Sequence, residues 1–454
     1  MAAKNIYDMT EGKPTVLLFN FAVPMLIGNL FQKFYNIIDA MIVGNYVSAN
    51  ALGAVGATGS ITFLFFSLSF GLSSGIGIIV SQYFGAKDDE NLMRTIANSV
   101  YILFVASLIM SVIGVVLARP ILIALKTPAA ILEDAVIFMQ VTCGGIMAVA
   151  AFNGVAAILR ALGDTKNPLV FLILSCAINI VLDLLFVIEF HMGVFGVGIA
   201  TVISQALAAI ACIIYAIIKI PYFQIPREYF RIDKDILMKS IRIGIPVALQ
   251  NSLIAFSCIF LQMIVNEFGE VVVSANTAVG RFEQLVQQPF NSLGAAMSTF
   301  TGQNIGAGKL ERVKKGLRSG TMMCAVFSLI MLPVAYLGGG VIMRMFVDDV
   351  QVINFGAQAL KITSVFYFAL GMIYVIRGLL NGAGDSTYAM MNGVVEVIGR
   401  VGFAKPLTMI PAIGVWGIWY TTGVTWCLTA VISIIRYAGG KWKRKSLNYS
   451  VKMH

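Results

Sequence analysis

Two acidic residues lie where the chain is otherwise apolar. Asp39 closes the run Tyr35-Asn36-Ile37-Ile38-Asp39, with Tyr35 and Asn36 one helical turn before it on the same face. Asp183 ends a stripe of Ser175, Asn179 and Asp183, spaced every four residues along an apolar stretch. Thr201, in the next stretch, could hydrogen-bond to that stripe. A charged side chain inside hydrocarbon costs at least about 2.5–3.5 kcal/mol on insertion scales, so each needs a reason. The chemistry on offer is that of a carboxyl, held out of bulk water, that takes and releases a proton near neutral pH. The plainer alternative for Asp183 is a structural hydrogen bond to Asn179. For Asp39 it is a place near the outer interface. Lys33, in the same stretch as Asp39, could pair with an acid or extend to the membrane surface.

Other polar groups cluster later in the chain. Glu396 and Arg400 are spaced i,i+4, which predicts an ion pair within one helix. Removing one partner of such a buried pair is costly, so a structural role suits it. Arg281, Glu283, Gln284, Gln287 and Gln288 make another stretch the most polar of all, as the lining of an interior cavity would be. Pro24 and Pro246 each remove a helix hydrogen bond, and Pro24 is the candidate hinge.

The elements holding these residues follow from composition. The chain has 454 residues, 58% hydrophobic and 12% charged, with a mean hydropathy of +0.86. A soluble protein of this length needs far more surface charge. Crossing a ~30 Å hydrocarbon core takes roughly 20 apolar residues in a helix. Twelve such stretches run near 15–39, 51–80, 96–118, 131–159, 168–190, 194–219, 241–265, 275–300, 319–342, 356–380, 387–410 and 414–437. They are too long and too uniformly apolar for barrel strands. The expected fold is an all-α integral membrane protein of twelve transmembrane helices.

The chain also repeats itself. Gln82-Tyr83-Phe84-Gly85-Ala86 returns as Gln303-Asn304-Ile305-Gly306-Ala307. Ala161-Leu162-Gly163-Asp164-Thr165 returns as Gly382-Ala383-Gly384-Asp385-Ser386, and Gly193-Val194-Phe195-Gly196 as Gly414-Val415-Trp416-Gly417. These pairs are 221 residues apart, and Pro24 and Pro246 are 222 apart. The reading is two parallel six-helix lobes, 1–219 and 241–454, joined by a polar cytoplasmic linker over 220–240. Two parallel repeats in a membrane protein commonly rock around a site between them. The turn glycines, Gly85, Gly306, Gly163 and Gly384, are expected to supply positive φ after helix ends. The acids are not repeated: position 39 maps to Phe260 or Leu261, and position 183 to Ala404.

The net charge is +10, but the basic residues gather in alternate loops, such as Lys309, Arg312, Lys314, Lys315 and Arg318, while 40–50 has none. This positive-inside pattern places both termini in the cytoplasm and argues against nucleic acid as a partner. The basic tail, with Lys441, Lys443, Arg444 and Lys445, reads as an anchor against anionic membrane lipid. The six cysteines lie in apolar stretches without CxxC spacing, so packing is expected, with neither disulfide nor metal. Gly306-Ala307-Gly308-Lys309 lacks the spacing and the preceding strand of a phosphate loop. The first residues carry no small-residue cleavage pattern, so a removable signal peptide is not expected there.

Taken in order, several motifs resemble one family over nearly the whole chain. They are Pro24 with Tyr35-Asn36-Ile37-Ile38-Asp39 and Val43-Gly44, and Ser81-Gln82-Tyr83-Phe84-Gly85-Ala86. Arg160-Ala161-Leu162-Gly163-Asp164-Thr165, Asn179-Ile180-Val181-Leu182-Asp183 and Gly302-Gln303-Asn304-Ile305-Gly306-Ala307-Gly308 complete the set. The chain is similar to the multidrug and toxic compound extrusion (MATE) transporters, and within them to the DinF-like branch. The resemblance implies an exporter, not an enzyme. It would exchange amphipathic, often cationic, drug-like compounds for H+ or Na+ by alternating access in the cell membrane. It implies no cofactor, and a monomer is expected. It also implies a first-lobe ion site at Asp39, Asn179, Asp183 and Thr201, with Tyr35 nearby. Arg281, Glu283, Gln287, Gln288, Glu396 and Arg400 are candidates for the substrate cavity. The NorM-like branch has a second-lobe sodium site with a glutamate shortly after the seventh-span proline. Here that segment reads Gln250-Asn251-Ser252, without an acid.

Two other classes compete. A flippase for a lipid-linked saccharide shares the two-lobe design but calls for a basic cavity, for which Arg281 and Arg400 speak and the first-lobe acids do not. A membrane-embedded enzyme would show His or acid clusters at a membrane face, whereas the chain has only His191 and His454.

Overall fold

The computed structural model describes residues 7–443. Among them every regular element is helical, which suits a bilayer because a helix satisfies its own backbone hydrogen bonds. In chain order the helices are α1 (Pro14–Ile42), α2 (Ala49–Ala86), α3 (Asp89–Ala124), α4 (Ala129–Gly144), α5 (Ile146–Ala161), α6 (Lys166–Leu184) and α7 (Gly193–Lys219). The second series is α8 (Lys234–Val265), α9 (Glu270–Gly306), α10 (Leu310–Arg344), α11 (Val350–Ser364), α12 (Tyr367–Gly382), α13 (Ser386–Met409) and α14 (Gly417–Ala438). Two π-helical turns extend α1 and α6, over Val43–Val47 and Leu185–Glu189.

Fourteen helices give twelve spans because two spans are broken. α4 and α5 meet at 43°, and α11 and α12 at 51°. The sequence reading took each as one straight stretch. Both breaks fall at the same register of the repeat, since α5 starts at Ile146 and α12 at Tyr367, 221 residues on. Among the described residues, eight helices are long and apolar enough to cross a membrane, and the two bent pairs make ten. The remaining long helices, α9 and α13, carry Glu283 and the Glu396–Arg400 pair. The chain is a multi-pass membrane protein.

Packing defines two compact units. The first holds Tyr7, Asp8 and Ile27–Ala248, and the second holds Met9–Leu26 and the chain from Leu249 onward. The boundaries cut α1 and α8 two residues beyond Pro24 and Pro246. In the first unit α2 packs on α5, α3 and α4, and α7 packs on α5 and α6. In the second unit α9 packs on α12, α10 and α11, and α14 on α13 and α12.

Small residues set the closest helix crossings. A Cβ on Gly71 would lie 2.6 Å from the Ala248 backbone nitrogen, and one on Gly75 would lie 2.7 Å from that of Gly244. α2 therefore meets the start of α8 through a small-xxx-small stripe, which trades side-chain volume for extended backbone contact. In the second unit a Cβ on Gly378 would lie 2.1 Å from the Gly294 carbonyl oxygen.

Segments outside the spans are tied down. In the second unit the Met9 N–H donates to Gln303 Oε1 (2.8 Å), and the Met9 carbonyl accepts from Asn304 Nδ2 (3.1 Å) and Arg312 Nη2 (3.2 Å). Lys309 Nζ donates to the Thr10 carbonyl (3.1 Å) and Arg312 Nη1 to the Gly12 carbonyl (3.0 Å). The linker is held in the first unit by Asn98, whose Oδ1 accepts from the Asp233 N–H (2.9 Å), and by Tyr101, which donates to the Phe230 carbonyl (2.9 Å).

The turn glycines behave as expected at Gly163 (φ +91°) and Gly384 (φ +77°). Gly85 and Gly306 instead remain within their helices. The left-handed residue falls later, at Lys87 (φ 56°) and Gly308 (φ +70°), again 221 apart. The six cysteines are free, and Cys258 is exposed rather than packed. Of the expected basic tail, Arg444 and Lys445 lie outside the described residues.

Crowding at α2–α8 gives a direct test. Gly75→Val should destabilise the folded protein by about 1–3 kcal/mol, the usual cost of overpacking. Thermal unfolding in detergent checks it. Gly56→Val, at a helical site with nothing within 4 Å of a Cβ, should lower the midpoint far less.

Candidate functional site

Three helices of the first unit bring the sequence-predicted residues together. α1 supplies Tyr35 and Asp39, α6 supplies Asn179 and Asp183, and α7 supplies Thr201. Asp183, Asn179 and Ser175 are fully or almost fully buried. Asp39 and Tyr35 are half-buried. The carboxyl groups of Asp39 and Asp183 lie close enough to share a hydrogen bond. Such a bond requires a proton on one of them. Oδ1 of each carboxyl is buried with no conventional donor.

Asn179 and Thr201 build the rest of the cluster. With its amide nitrogen turned toward Asp183, Asn179 donates to Asp183 Oδ2 at 2.9 Å and accepts from the Thr201 backbone N–H at 3.1 Å. The opposite orientation would face the amide oxygen to the carboxylate. Thr201 Oγ1 lies 3.3 Å from the Tyr35 hydroxyl and donates to the Val197 carbonyl (3.1 Å). One chain of contacts thus joins Tyr35, Thr201, Asn179, Asp183 and Asp39.

The π-helical turns are the part of this site that the sequence reading missed. Each begins two to four residues after an acid, Val43 after Asp39 and Leu185 after Asp183. The two turns touch each other. Widened turns of this kind occur frequently at functional sites. They also carry α1 on to Val47, which leaves Asp39 roughly 10 Å short of the helix end. No residue type announces a π turn, so only backbone geometry could reveal it.

The second unit has its own polar cluster. Arg400 Nη2 lies 3.3 Å from Glu396 Oε2, the predicted i,i+4 pair, with both side chains buried. Arg400 Nη1 also donates to Ser257 Oγ and to Cys258 Sγ (3.2 Å) on α8. Glu283 of α9 lies within electrostatic range of the same guanidinium, without forming an ion pair with it. Gln287 Oε1 accepts from the Tyr374 hydroxyl at 3.4 Å. Tyr374 in turn lies under Arg377, 4.4 Å from its ring centroid. Among the described residues, no group of three or more His, Cys, Asp or Glu could hold a metal ion.

Some candidates do not join either cluster. Arg281 is exposed and two residues from Glu283, which turns it to another face of α9. Gln288 donates to its own helix, to the Gln284 carbonyl (2.8 Å). Lys33 is half-buried on α1, and Pro24 lies inside that helix without ending it.

Comparison with known proteins accords with this architecture. The family model MatE matches residues 24–185 and 246–404, one segment in each half of the repeat. The probable multidrug resistance protein YpnP of Bacillus subtilis (strain 168) is 30% identical over 445 residues, which are 97% of this chain and 98% of that protein. The multidrug export protein MepA of Staphylococcus saprophyticus is 22% identical over 443 residues, 96% of this chain and 95% of that one. Among solved structures, a MOP superfamily transporter from Pyrococcus furiosus superposes with a TM-score of 0.89 at 21% identity, covering 98% of each chain. An outward-facing multidrug resistance MATE family transporter gives 0.90 at 20% identity, covering 99% of each. With both halves matched and a 30% identical relative aligned over nearly its full length, this chain belongs to the MATE family of membrane transporters.

Proposed function

We propose that the chain exports amphipathic organic compounds, cationic ones among them, from the cytoplasm in exchange for H+ or Na+. The observation that carries this reading is the Asp39–Asp183 pair, two carboxyls in contact inside the membrane-spanning part of one unit. Like charges so close disfavour full ionisation, so the pair exists with a shared proton or with a bound cation between its oxygens. The names of YpnP and MepA support drug-like guests. The positive-inside pattern supports the cell membrane with both termini cytoplasmic. We take a monomer as the working unit.

The cycle follows from charge. When the pair is ionised it favours a positively charged, lipophilic guest. A cation loaded from outside neutralises it, and the guest loses its counter-charge and leaves outward. Asn179 holds one Asp183 oxygen, and Thr201 with Tyr35 fixes Asn179 and the facing side of α1. Pro24 interrupts the hydrogen bonding of α1 between Asp39 and the helix start, which suits a bend there. Each charge moved down a 100 mV potential releases about 2.3 kcal/mol. The first-unit cluster holds two acids and no base, which favours cationic guests over a lipid-linked anion.

Vesicle transport tests the reading. In drug-loaded vesicles with an imposed pH gradient, Asp183→Asn should reduce proton-driven transport at least about tenfold, a loss of roughly 1.4 kcal/mol or more of coupling. Unchanged transport would overturn the coupling role. A parallel run with a Na+ gradient and no pH gradient identifies the ion. Asp39→Asn should match Asp183→Asn, and the double variant should be no worse than either single one, because two residues acting as one unit are not additive. Independent, additive losses would mean the acids do not share a cation.

A further inference from the structure

We propose that the linker and the start of α3 together form a seat for the headgroup of a zwitterionic membrane phospholipid, a phosphodiester carrying a primary ammonium. The recess lies wholly within the first unit and has a volume of about 700 Å³. That is within the size range of small-molecule sites. Its polar lining includes Glu90 and Arg94 of α3, Glu228 and Arg231 of the linker, and Lys234 and Asp235 of the first turn of α8. One face of α3 fixes its walls. Arg94, Asn98 and Tyr101 are spaced three or four residues apart and so share that face. The Arg94 guanidinium lies 5.4 Å from the Tyr229 ring centroid. Asn98 donates to the Arg231 carbonyl (3.3 Å) and accepts from the Asp233 N–H (2.9 Å), and Tyr101 donates to the Phe230 carbonyl (2.9 Å). The Asp233 carboxylate accepts from the Asp235 and Ile236 N–H groups (2.9 and 3.1 Å), which caps α8.

Charge selects the guest. Arg94 and Glu90 form an ion pair at 2.6 Å. Among the described residues, Arg231, Lys234, Glu228 and Asp235 form no ion pair, and all four are exposed. Two bases and two acids in one recess match a guest that carries both signs. The bases meet phosphate oxygens, and the carboxylates accept hydrogen bonds from an ammonium. A purely anionic headgroup leaves Glu228 and Asp235 unmatched, and a trimethylated ammonium has no N–H to give them.

The surroundings put the recess at headgroup depth. Val100 is the first exposed large apolar residue of α3, with Phe104 next, and Met238 of α8 is exposed too, as lipid-facing side chains are. The Tyr101–Phe230 bond holds the linker at that level, where Phe230 and Ile232 are themselves exposed. Arg94 lies six residues before Val100, roughly 9 Å along the helix axis. The polar layer outside the hydrocarbon is roughly 5–8 Å deep. The charged rim therefore meets a headgroup while Phe230 and Ile232 meet the start of its acyl chains. The repeat supplies an internal control, because the second unit does not reproduce this grip. Arg94, Asn98 and Tyr101 correspond to Lys315, Ser319 and Met322, 221 residues on. There Ser319 accepts from the Thr15 hydroxyl (2.9 Å), and Met322 is exposed with no hydrogen to donate.

Thermal unfolding of the purified full chain in detergent micelles tests this, with added phosphatidylethanolamine, phosphatidylcholine or phosphatidylglycerol of matched acyl chains. Phosphatidylethanolamine should raise the melting temperature of the wild type above the other two. Glu228→Gln combined with Asp235→Asn should lower its apparent affinity at least about tenfold and remove its advantage over phosphatidylcholine. Arg231→Gln combined with Lys234→Gln should weaken phosphatidylethanolamine by a similar factor. All four changes are at exposed side chains outside the Asp39–Asp183 cluster, and either pair serves if the other does not fold. Soluble glycerophosphoethanolamine at the same concentration should give no shift, because it lacks the acyl chains. Four results would overturn the proposal. They are no advantage of phosphatidylethanolamine over phosphatidylcholine, an advantage untouched by both variant pairs, a larger shift with phosphatidylglycerol that the Arg231–Lys234 pair removes, and an equal shift with the soluble headgroup.

Discussion

Hydrocarbon offers no partner to a polar atom, so each one in a span must be matched within the protein. This constraint accounts for the continuous helices and for much of their side-chain detail. Threonines inside the spans turn back on their own helices, as Thr62, Thr142, Thr421 and Thr429 do. The closest helix crossings fall at glycines such as Gly71, Gly75 and Gly378. Against that background the groups left without partners stand out. They are single oxygens, among them Oδ1 of Asp39 and of Asp183 in the first unit and Glu283 Oε1, Thr363 Oγ1 and Tyr367 OH in the second. A bilayer protein tolerates such groups where they handle ions or guests.

Much of this was legible in the residues. Hydropathy marks the spans, and the repeat fixes their correspondence. Four-residue spacing places Ser175, Asn179 and Asp183 on one face, and the structure adds Asp39, Tyr35 and Thr201 to it. What remained hidden depends on backbone shape or on distant packing. The breaks at Gly145 and beside Val365 lie inside runs that are apolar on average, and hydropathy is blind to direction. Gly145 does give a reason in the fold, since a Cβ there would meet Val202 at 2.2 Å. Sequence proximity suggested Arg281 beside Glu283, but helical geometry separates them and brings Arg400 from more than a hundred residues away.

The two units show how duplicated scaffolds diverge. Breaks, turns and the left-handed residues at Lys87 and Gly308 keep one register. Side chains at the equivalent positions do not. Thr62 becomes Glu283, Ser175 becomes Glu396, and Asn179 becomes Arg400. The first unit keeps a paired-acid cluster without a base in it, whereas the second pairs a buried guanidinium with the Glu396 carboxylate. The backbone was conserved between the halves while the electrostatics were rewritten.

The segment Met9–Leu26 belongs to the second unit, and its hydrogen-bond partners Gln303, Asn304, Lys309 and Arg312 lie some 300 residues downstream. A ribosome therefore delivers this segment long before its binding surface exists. The first span must wait in the membrane, incompletely housed, until α9 and α10 have been made. Contacts of such long sequence separation form late and slowly. Neither half of the coding sequence specifies a whole unit, so assembly can finish only after most of the second half has been translated.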